Sequence, residues 1–199
     1  MGSLTTEGLV LYRRDFGEAD RVLIVLTRDL GKISVVATGV RRISSRRAGS
    51  VELLNQVRIH LYKSKGYTLT EAESINTFPN IKSTLPMTSA GMHVAELLNK
   101  LVAEGAGVDG MYDFTIEMLG IFEKNPRQIY IRAFEIKLLK KLGFWGDEVN
   151  GSVDTKVGQI LQELEFASWQ EIGRMPLDGR YALALEKRVF HIRLNLMEW

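Results

Sequence analysis

Cysteine is absent from the 199-residue chain, which excludes disulfide bonds and zinc sites built from thiolates. There is no run of about 18 uncharged apolar residues, so we predict no transmembrane helix. The first residues also lack the basic and apolar segments of a secretory signal. From these missing features we expect a cytoplasmic protein.

Signatures of the common enzyme classes are missing as well. The strings H-E-x-x-H, G-x-S-x-G and G-x-x-x-x-G-K-[ST] do not occur. The three histidines, His60, His93 and His191, are scattered, and none has a second metal ligand four residues away. We therefore predict a protein that is not an enzyme and that has no catalytic residue, metal site or cofactor.

Two short segments resemble sites but have simpler interpretations. Residues 105–110 match the dinucleotide-binding string G-x-G-x-x-G, yet a helical pattern precedes them where that site needs a strand. We interpret them as a linker between helices. Asp15, Glu18 and Asp20 share one turn and offer oxygen ligands for Mg²⁺. Such carboxylates more often cap turns and pair with neighbours such as Arg21.

Hydrophobic periodicity divides the chain into a β part and an α part. Short apolar or alternating runs predict five strands, near residues 9–12, 22–27, 33–38, 57–62 and 67–70. Five strands at this spacing favour a small closed or partly closed barrel. After Phe78 and Pro79, helical spacing predicts helices near residues 94–102, 111–122, 127–142, 153–164 and 181–196. We therefore place a β domain at residues 1–78 and a helical domain at residues 79–199.

Capping residues indicate where two of the helices begin. Asn125 followed by Pro126 predicts an N-cap with proline at the first helical position. Ser168 with Glu171 fits a capping box at the start of a short helix.

Basic residues concentrate in the β part. Residues 1–80 contain twelve Lys or Arg against eight Asp or Glu, although the whole chain carries a net charge of only +2. Between Arg41 and Lys65, seven basic residues stand against one acid, Glu52. A local positive field on a nearly neutral protein favours a polyanionic partner.

The densest basic segment is residues 41–50, which we call the arginine loop. It contains Arg41, Arg42, Arg46 and Arg47, and its serines add neutral hydrogen-bonding groups. One interpretation is a solvated, flexible loop. The other is a loop that follows phosphates, because a guanidinium group matches phosphate oxygens with two parallel hydrogen bonds.

The fourth predicted strand adds aromatic character to the basic region. Arg58, His60 and Tyr62 alternate with its apolar residues and therefore share its outer face. A ring beside a cation on an exposed strand suits the stacking of unpaired bases. An ordinary exposed strand explains the same pattern equally well.

The helical part offers a further hypothesis. The last predicted helix carries Lys187 and Arg188 beside its apolar stripe, and the central helix carries Arg127 and Arg132. Most such residues form an ordinary polar helix face. A groove with an apolar floor and these four cations at its rim would suit an acidic peptide with an aromatic end.

Several short blocks occur in a distinctive order along the first 79 residues. They are GLVL at residues 8–11, DFGEADR at 15–21, TRDLGK at 27–32 and ATGVRR at 37–42, followed by Ser45-Arg46. Together with Tyr62 and the Phe78-Pro79 boundary, this order resembles the bacterial RecO family of recombination mediators. The match is looser in the helices, where Leu142-Gly143-Phe144 fits the end of the family's central helix.

The resemblance implies an α+β protein, with a five-stranded OB-fold barrel at residues 1–78 followed by an all-α domain. It implies DNA repair and recombination: binding of single- and double-stranded DNA, annealing of complementary strands, and help in loading RecA onto strands coated by single-strand-binding protein. The implied partners are RecR and the acidic C-terminal tail of single-strand-binding protein, at the nucleoid of a bacterial cytoplasm. The DNA-binding residues carried over from the family are Lys32, Arg41, Arg42, Arg46 and Arg47. Charge and strand pattern add Arg14, Arg21, Arg58, Tyr62 and Lys63.

The chain departs from the family in one segment. Many members carry a four-cysteine zinc module after the element Leu142-Gly143-Phe144, whereas residues 144–151 stand in its place here without cysteine. Either the chain is a compact variant or the segment was removed. Two other functions stay open from the residues alone: an OB-fold module for RNA or ribosome assembly, and a Mg²⁺-dependent nuclease at the acidic turn.

Overall fold

The first part of the chain is a closed barrel of five strands in the order β1-β2-β3-β5-β4. The computed structural model describes residues 2–105, 109–145 and 156–176. The strands are β1 (Gly2–Phe16), β2 (Asp20–Thr27), β3 (Gly31–Ala37), β4 (Gln56–Lys63) and β5 (Tyr67–Asn76). Strands β3 and β5 pair in parallel, and the other neighbouring pairs are antiparallel. This five-stranded arrangement confirms the predicted OB-fold.

Side chains that alternate along the strands fill the barrel. Val57, Ile59 and Leu61 of β4 are at most 1% exposed, while Arg58 and Tyr62 face outward. The predicted inward and outward faces of this strand are therefore confirmed. The same core contains Val10, Leu23, Val25, Ile33, Val35 and Leu69.

The connection between β3 and β4, residues 38–55, consists of successive turns that fold onto the barrel. Val40 and Val51 are completely buried in the barrel core, one before and one after the arginine segment. Buried anchors on both sides fix the path of the loop, which argues against a freely moving segment.

The helices of the α part are α1 (Leu85–Leu101), α2 (Met111–Lys124), α3 (Gln128–Lys141), α4 (Lys156–Phe166) and α5 (Trp169–Arg174). The glycine string at 105–110 falls between α1 and α2, which confirms it as a linker. The predicted start of α3 was wrong: Arg127 is its N-cap, so Pro126 precedes the helix. The capping box of Ser168 and Glu171 is present at α5. The last predicted helix, 181–196, lies outside the described residues.

The chain forms two compact units, residues 1–123 and 124–199. The first contains the barrel with α1 and α2, and the second contains α3, α4 and α5. The domain boundary after residue 78 remains a prediction. None of the helices that the structure describes has the length and hydrophobicity needed to cross a bilayer.

Tyr112 ties α2 to the barrel within the first unit. Its hydroxyl accepts a hydrogen bond from Gln56 Nε2 at 3.1 Å and donates one to Glu7 Oε2 at 3.4 Å. The Arg28 guanidinium lies 4.9 Å from the centre of the Tyr112 ring and pairs with Asp113 of the same helix at 3.0 Å. Burial raises the pKa of Tyr112 to about 12.

Candidate nucleic-acid interface

The arginine loop lies against the tip of the β1–β2 hairpin. The backbone N–H of Arg41 donates to the Ala19 carbonyl at 2.9 Å, and the Arg41 guanidinium donates to the Gly17 carbonyl at 3.2 Å. The N–H of Gly39 donates to Asp20 Oδ1 at 2.7 Å. Two segments that were separate in the sequence, the acidic turn and the arginine loop, thus form one surface.

The Arg47 guanidinium is bonded to the protein itself. It donates hydrogen bonds to the carbonyls of Thr38 at 2.7 Å, Leu69 at 2.9 Å and Thr70 at 3.2 Å. These bonds tie the loop to the end of β3 and to β5. Arg47 therefore stabilises the conformation of the loop, and its guanidinium N–H groups point to backbone carbonyls and not outward to a phosphate.

Arg21 and Arg41 share one carboxylate. Arg21 Nε lies 2.9 Å from Asp15 Oδ1, and Arg41 Nε lies 3.3 Å from Asp15 Oδ2. The hydrogen bond from Arg21 and the charge of Arg41 lower the pKa of Asp15. Glu52 pairs with Arg13 and also lies 3.5 Å from Arg21. These cations are partly neutralised by the protein itself.

Arg14, Arg42 and Arg46 differ from the other arginines of this surface. All three are exposed, and across the residues that the structure describes their guanidinium groups have no hydrogen-bond or ion-pair partner. A guanidinium group without an internal partner keeps all five donors for a ligand. These three arginines are therefore best placed to bind phosphate.

Exposed aromatic side chains flank Arg14 on the outer face of β1. Tyr12 is 46% exposed and Phe16 is 55% exposed, and the three residues alternate along the strand. We call Tyr12, Arg14 and Phe16 the aromatic strip. Sequence reasoning missed the two rings because the first strand was ended at Tyr12 and Phe16 was assigned to a turn.

A row of paired residues connects the aromatic strip to the β4–β5 turn. Strand pairing aligns, in order across the barrel, Arg14, Val22, Val36, Thr68 and Tyr62. Neighbours in such a row point to the same side of the sheet, and Val36 and Tyr62 are 36% and 41% exposed. At the end of the row, Lys63 Nζ lies 5.3 Å from the centre of the Tyr67 ring. OB-folds bind oligonucleotides between the β1–β2 and β4–β5 loops that this row joins.

Two predicted DNA-binding residues lie apart from this surface. Lys32 is 8% exposed, and its ammonium group donates to the Asn99 carbonyl of α1 at 2.6 Å. Burial lowers the pKa of Lys32. Arg58 lies between two carboxylates, 3.5 Å from Glu7 and 3.7 Å from Glu73. We therefore leave both residues out of the candidate interface.

Comparison with known proteins assigns both parts of the chain to one family. The models described as Recombination protein O N terminal and Recombination protein O C terminal match residues 1–78 and 82–176. The chain belongs to the RecO family. This confirms the resemblance that the short N-terminal blocks indicated.

Proteins named DNA repair protein RecO are similar to this chain. The one from Symbiobacterium thermophilum is 30% identical over 148 residues, which cover 72% of this chain and 58% of the relative. The one from Heliobacterium modesticaldum is 32% identical over 139 residues, 69% and 50% of the two chains. The one from Listeria monocytogenes is 33% identical over 141 residues, 70% and 55% of the two chains. The RecO-family chain thus spans between half and three fifths of the length of these curated relatives.

The described arginines of the predicted peptide groove are engaged within the second unit. The Arg127 guanidinium donates to the carbonyls of Gly173 and, at 2.7 Å, Met175, and so ties α3 to the end of α5. Arg132 pairs at 2.7 Å with Glu135, which is buried in the same helix. Lys187 and Arg188 lie outside the described residues.

The acidic turn and the zinc-module segment complete the sites considered from the sequence. Asp15 and Asp20 accept hydrogen bonds from the protein's own donors. Within the described ranges, no three His, Asp or Glu side chains are grouped so that they could hold a metal ion. Of residues 144–151, where the resemblance implied a missing zinc module, only Phe144 and Trp145 are among the described residues.

Proposed function

We propose that this RecO-family chain is a DNA repair and recombination mediator that binds single- and double-stranded DNA. In this proposal it also anneals complementary strands and assists the loading of RecA onto strands coated by single-strand-binding protein. Family membership and the names of its relatives support a role in DNA repair. The proposed binding surface consists of the aromatic strip, the row that leads to Tyr62, and the arginine loop.

One observation carries the proposal. Among the described residues, the guanidinium groups of Arg14, Arg42 and Arg46 have no partner, and β1 carries the exposed rings of Tyr12 and Phe16 beside Arg14. Arg41 bonds the arginine loop to the tip of the β1–β2 hairpin, which brings the loop next to this end of β1. Single-strand binding combines cations that follow the backbone with rings on which bases stack. The described part of this surface meets both requirements.

This mode of binding is compatible with annealing. Stacking uses the faces of the bases, and phosphate contacts use the backbone. Neither interaction occupies the Watson–Crick edges, so a strand held on the aromatic strip keeps those edges free to pair with its complement.

We further propose that the second unit binds the acidic tail of single-strand-binding protein. Arg127 bonds backbone carbonyls and Arg132 bonds a buried carboxylate, so we place the site at Lys140 of α3 and Phe166 of α4 instead. Lys140 pairs with Glu165 at 2.6 Å but its side chain is 43% exposed, so an acidic peptide can compete for it. There, Lys140 Nζ lies 3.9 Å from the centre of the Phe166 ring, which is 73% exposed. A cation beside an exposed ring suits an acidic peptide with an aromatic end. Calorimetry with such a peptide should give heat that is lost in Lys140→Ala; equal heat for both proteins would refute this site.

RecR is the second proposed partner, on the strength of family membership. We also propose that the protein acts in the bacterial cytoplasm, at the nucleoid, where a DNA repair function would be needed. Both statements are proposals that follow from the proposed function.

The DNA-binding proposal is tested by the salt dependence of affinity for a single strand. The double variant Arg42→Ala/Arg46→Ala should flatten the log–log slope by about 1.4, since each neutralised phosphate contributes about 0.7. Lys100→Ala is a control for the loss of a single charge, because Lys100 is exposed on α1, outside the arginine loop, and pairs with Glu96. An unchanged slope in the double variant would remove the arginine loop from the interface.

The mediator role is tested by annealing of complementary strands coated with single-strand-binding protein. We expect the wild-type chain to accelerate annealing and the double arginine variant to lose most of that acceleration. Competition with a matched RNA oligomer belongs in the same experiment. A strong preference for RNA would instead favour an OB-fold module for RNA or ribosome assembly.

A further inference from the structure

Ile43, in the arginine loop, projects fully into solvent. Its relative exposure is 107%, the largest among the exposed large hydrophobic side chains in the described part of the chain. Single exposed hydrophobic residues are common on protein surfaces. Exposure alone therefore does not indicate a function, and the case for one depends on the position of Ile43 and on the residues beside it.

The backbone places Ile43 at the tip of a tight turn. The N–H of Ser45 donates to the Arg42 carbonyl at 2.9 Å, which closes a turn with Ile43 and Ser44 at its centre. The Arg42 N–H in turn donates to the Gly39 carbonyl at 3.2 Å. A hydrophobic side chain at the centre of a turn is carried away from the body of the protein.

The base of the loop is fixed, while the Ile43 side chain at its tip is fully exposed. Val40 and Val51 are buried in the barrel core, and Arg47 donates to three backbone carbonyls. A fixed base limits how far the backbone of the tip can move. Little conformational entropy then has to be lost when the tip inserts into a partner.

Two cations that have no partner among the described residues stand on both sides of the tip. Arg42 precedes Ile43 directly and Arg46 follows three residues later, and both are exposed. Proteins that deform duplex DNA insert apolar wedges, Ile among them, between base steps from the minor groove, where cationic side chains contact the backbone. The tip of the arginine loop has this combination of groups.

We propose that Ile43 is a wedge that enters the minor groove of duplex DNA and partly unstacks one base step. The proposal rests on the proposed DNA-binding function and adds a separate duplex contact to it. In this arrangement the aromatic strip and the arginines of the loop contact a strand, and the Ile43 side chain adds a contact that only paired strands offer. Because insertion must separate stacked bases, the wedge should favour steps that open easily, such as TA steps and mismatches.

The wedge is tested with duplexes that carry 2-aminopurine beside a TA step, since this base becomes more fluorescent when it is unstacked. We expect the wild-type chain to raise the fluorescence and Ile43→Ala to lose most of the rise. The variant should keep its affinity for single strands and its salt slope, because its arginines are intact. Ile43→Leu should retain the rise, since leucine is also an apolar wedge.

Ile75→Ala is the matched control, with the same change at a 41% exposed isoleucine of β5. It should behave like the wild type. An equal rise with Ile43→Ala, or no rise with the wild type bound to duplex, would overturn the wedge while leaving DNA binding intact. Failure of the wild type to bind DNA would instead overturn the function on which it rests.

Discussion

Replacing Asp15 with asparagine should strengthen DNA binding. The Asp15 carboxylate lies 2.9 Å from Arg21 Nε and 3.3 Å from Arg41 Nε, at the edge of the proposed interface. It therefore competes with phosphate for two guanidinium groups. An amide has nearly the same shape but no charge, so Asp15→Asn takes this carboxylate away from both cations without creating a cavity. Among the described residues, Arg21 then keeps only Glu52, 3.5 Å away, as a carboxylate neighbour.

The size of the effect follows from the geometry. Two released cations can neutralise up to two further phosphates, which would steepen the log–log salt slope by up to about 1.4. Exposed ion pairs are weak, so their removal should lower the Kd for a single strand only about two- to fivefold at moderate salt. The gain should disappear at high salt, because screening weakens the contacts of the released cations with phosphate.

The assay is fluorescence anisotropy of a labelled oligothymidine over a series of salt concentrations. Glu18→Gln is the matched control, since Glu18 is exposed on the same turn and has no partner among the described residues. Both variants remove one negative charge, so the difference between them reports the released arginines. Equal effects of the two changes, or weaker binding by Asp15→Asn, would refute the proposed competition.

Three further changes test the roles that the structure gives to individual residues. Arg47→Ala removes three hydrogen bonds and should lower the free energy of unfolding in urea by about 1–3 kcal/mol. Arg42→Ala should change it by less than about 0.5 kcal/mol, and equal losses would contradict the distinction. Lys32→Met should leave DNA affinity unchanged, because the ammonium group is buried against α1. If Lys32→Met weakened DNA binding as much as Arg42→Ala does, Lys32 would belong to the interface. For Tyr112, the native pKa of about 12 exceeds that of tyrosine in the unfolded chain. Between pH 10 and 12 the native state therefore binds more protons than the unfolded state, and the free energy of unfolding falls as the pH rises through this range. The stability difference between the wild type and Tyr112→Phe should shrink by on the order of 2 kcal/mol across that window, whereas parallel pH curves would contradict the assignment.

The fold was predictable because its periodic signals are local. In β4, the alternation of Val57, Ile59 and Leu61 with polar residues indicated which side chains enter the barrel, and the structure buries all three. The start of α3 was misplaced because Asn125 and Pro126 form a strong local signal, while the helix begins after Arg127. Local signals thus gave the type of each element more reliably than its ends.

The candidate interface was only partly predictable. Arg46 and Arg47 are adjacent and chemically identical, yet one is exposed and the other is bound to carbonyls of Thr38, Leu69 and Thr70. Those acceptors come from β5 and the end of β3, so no local pattern distinguishes the two arginines. Lys32 is buried for a similar reason, because its acceptor, Asn99, lies far along the chain.

A strand irregularity explains why the aromatic strip escaped notice. The register of β1 against β2 shifts between Val10 and Tyr12, and Leu9, Val10 and Leu11 are all buried. Such a bulge interrupts the period of two. The sequence therefore presents a continuous apolar run, and the alternation that exposes Tyr12 and Phe16 begins only after it.

The central claim is that one continuous surface, the aromatic strip with the arginine loop, receives the DNA strand. Its most direct test is to map the backbone amide resonances of the ¹⁵N-labelled chain during titration with an oligothymidine. The largest shifts should fall on residues 12–16, 36 and 41–46 and reach Tyr62 and Lys63. Shifts concentrated on α1 or α3, with the hairpin and the arginine loop unchanged, would contradict it.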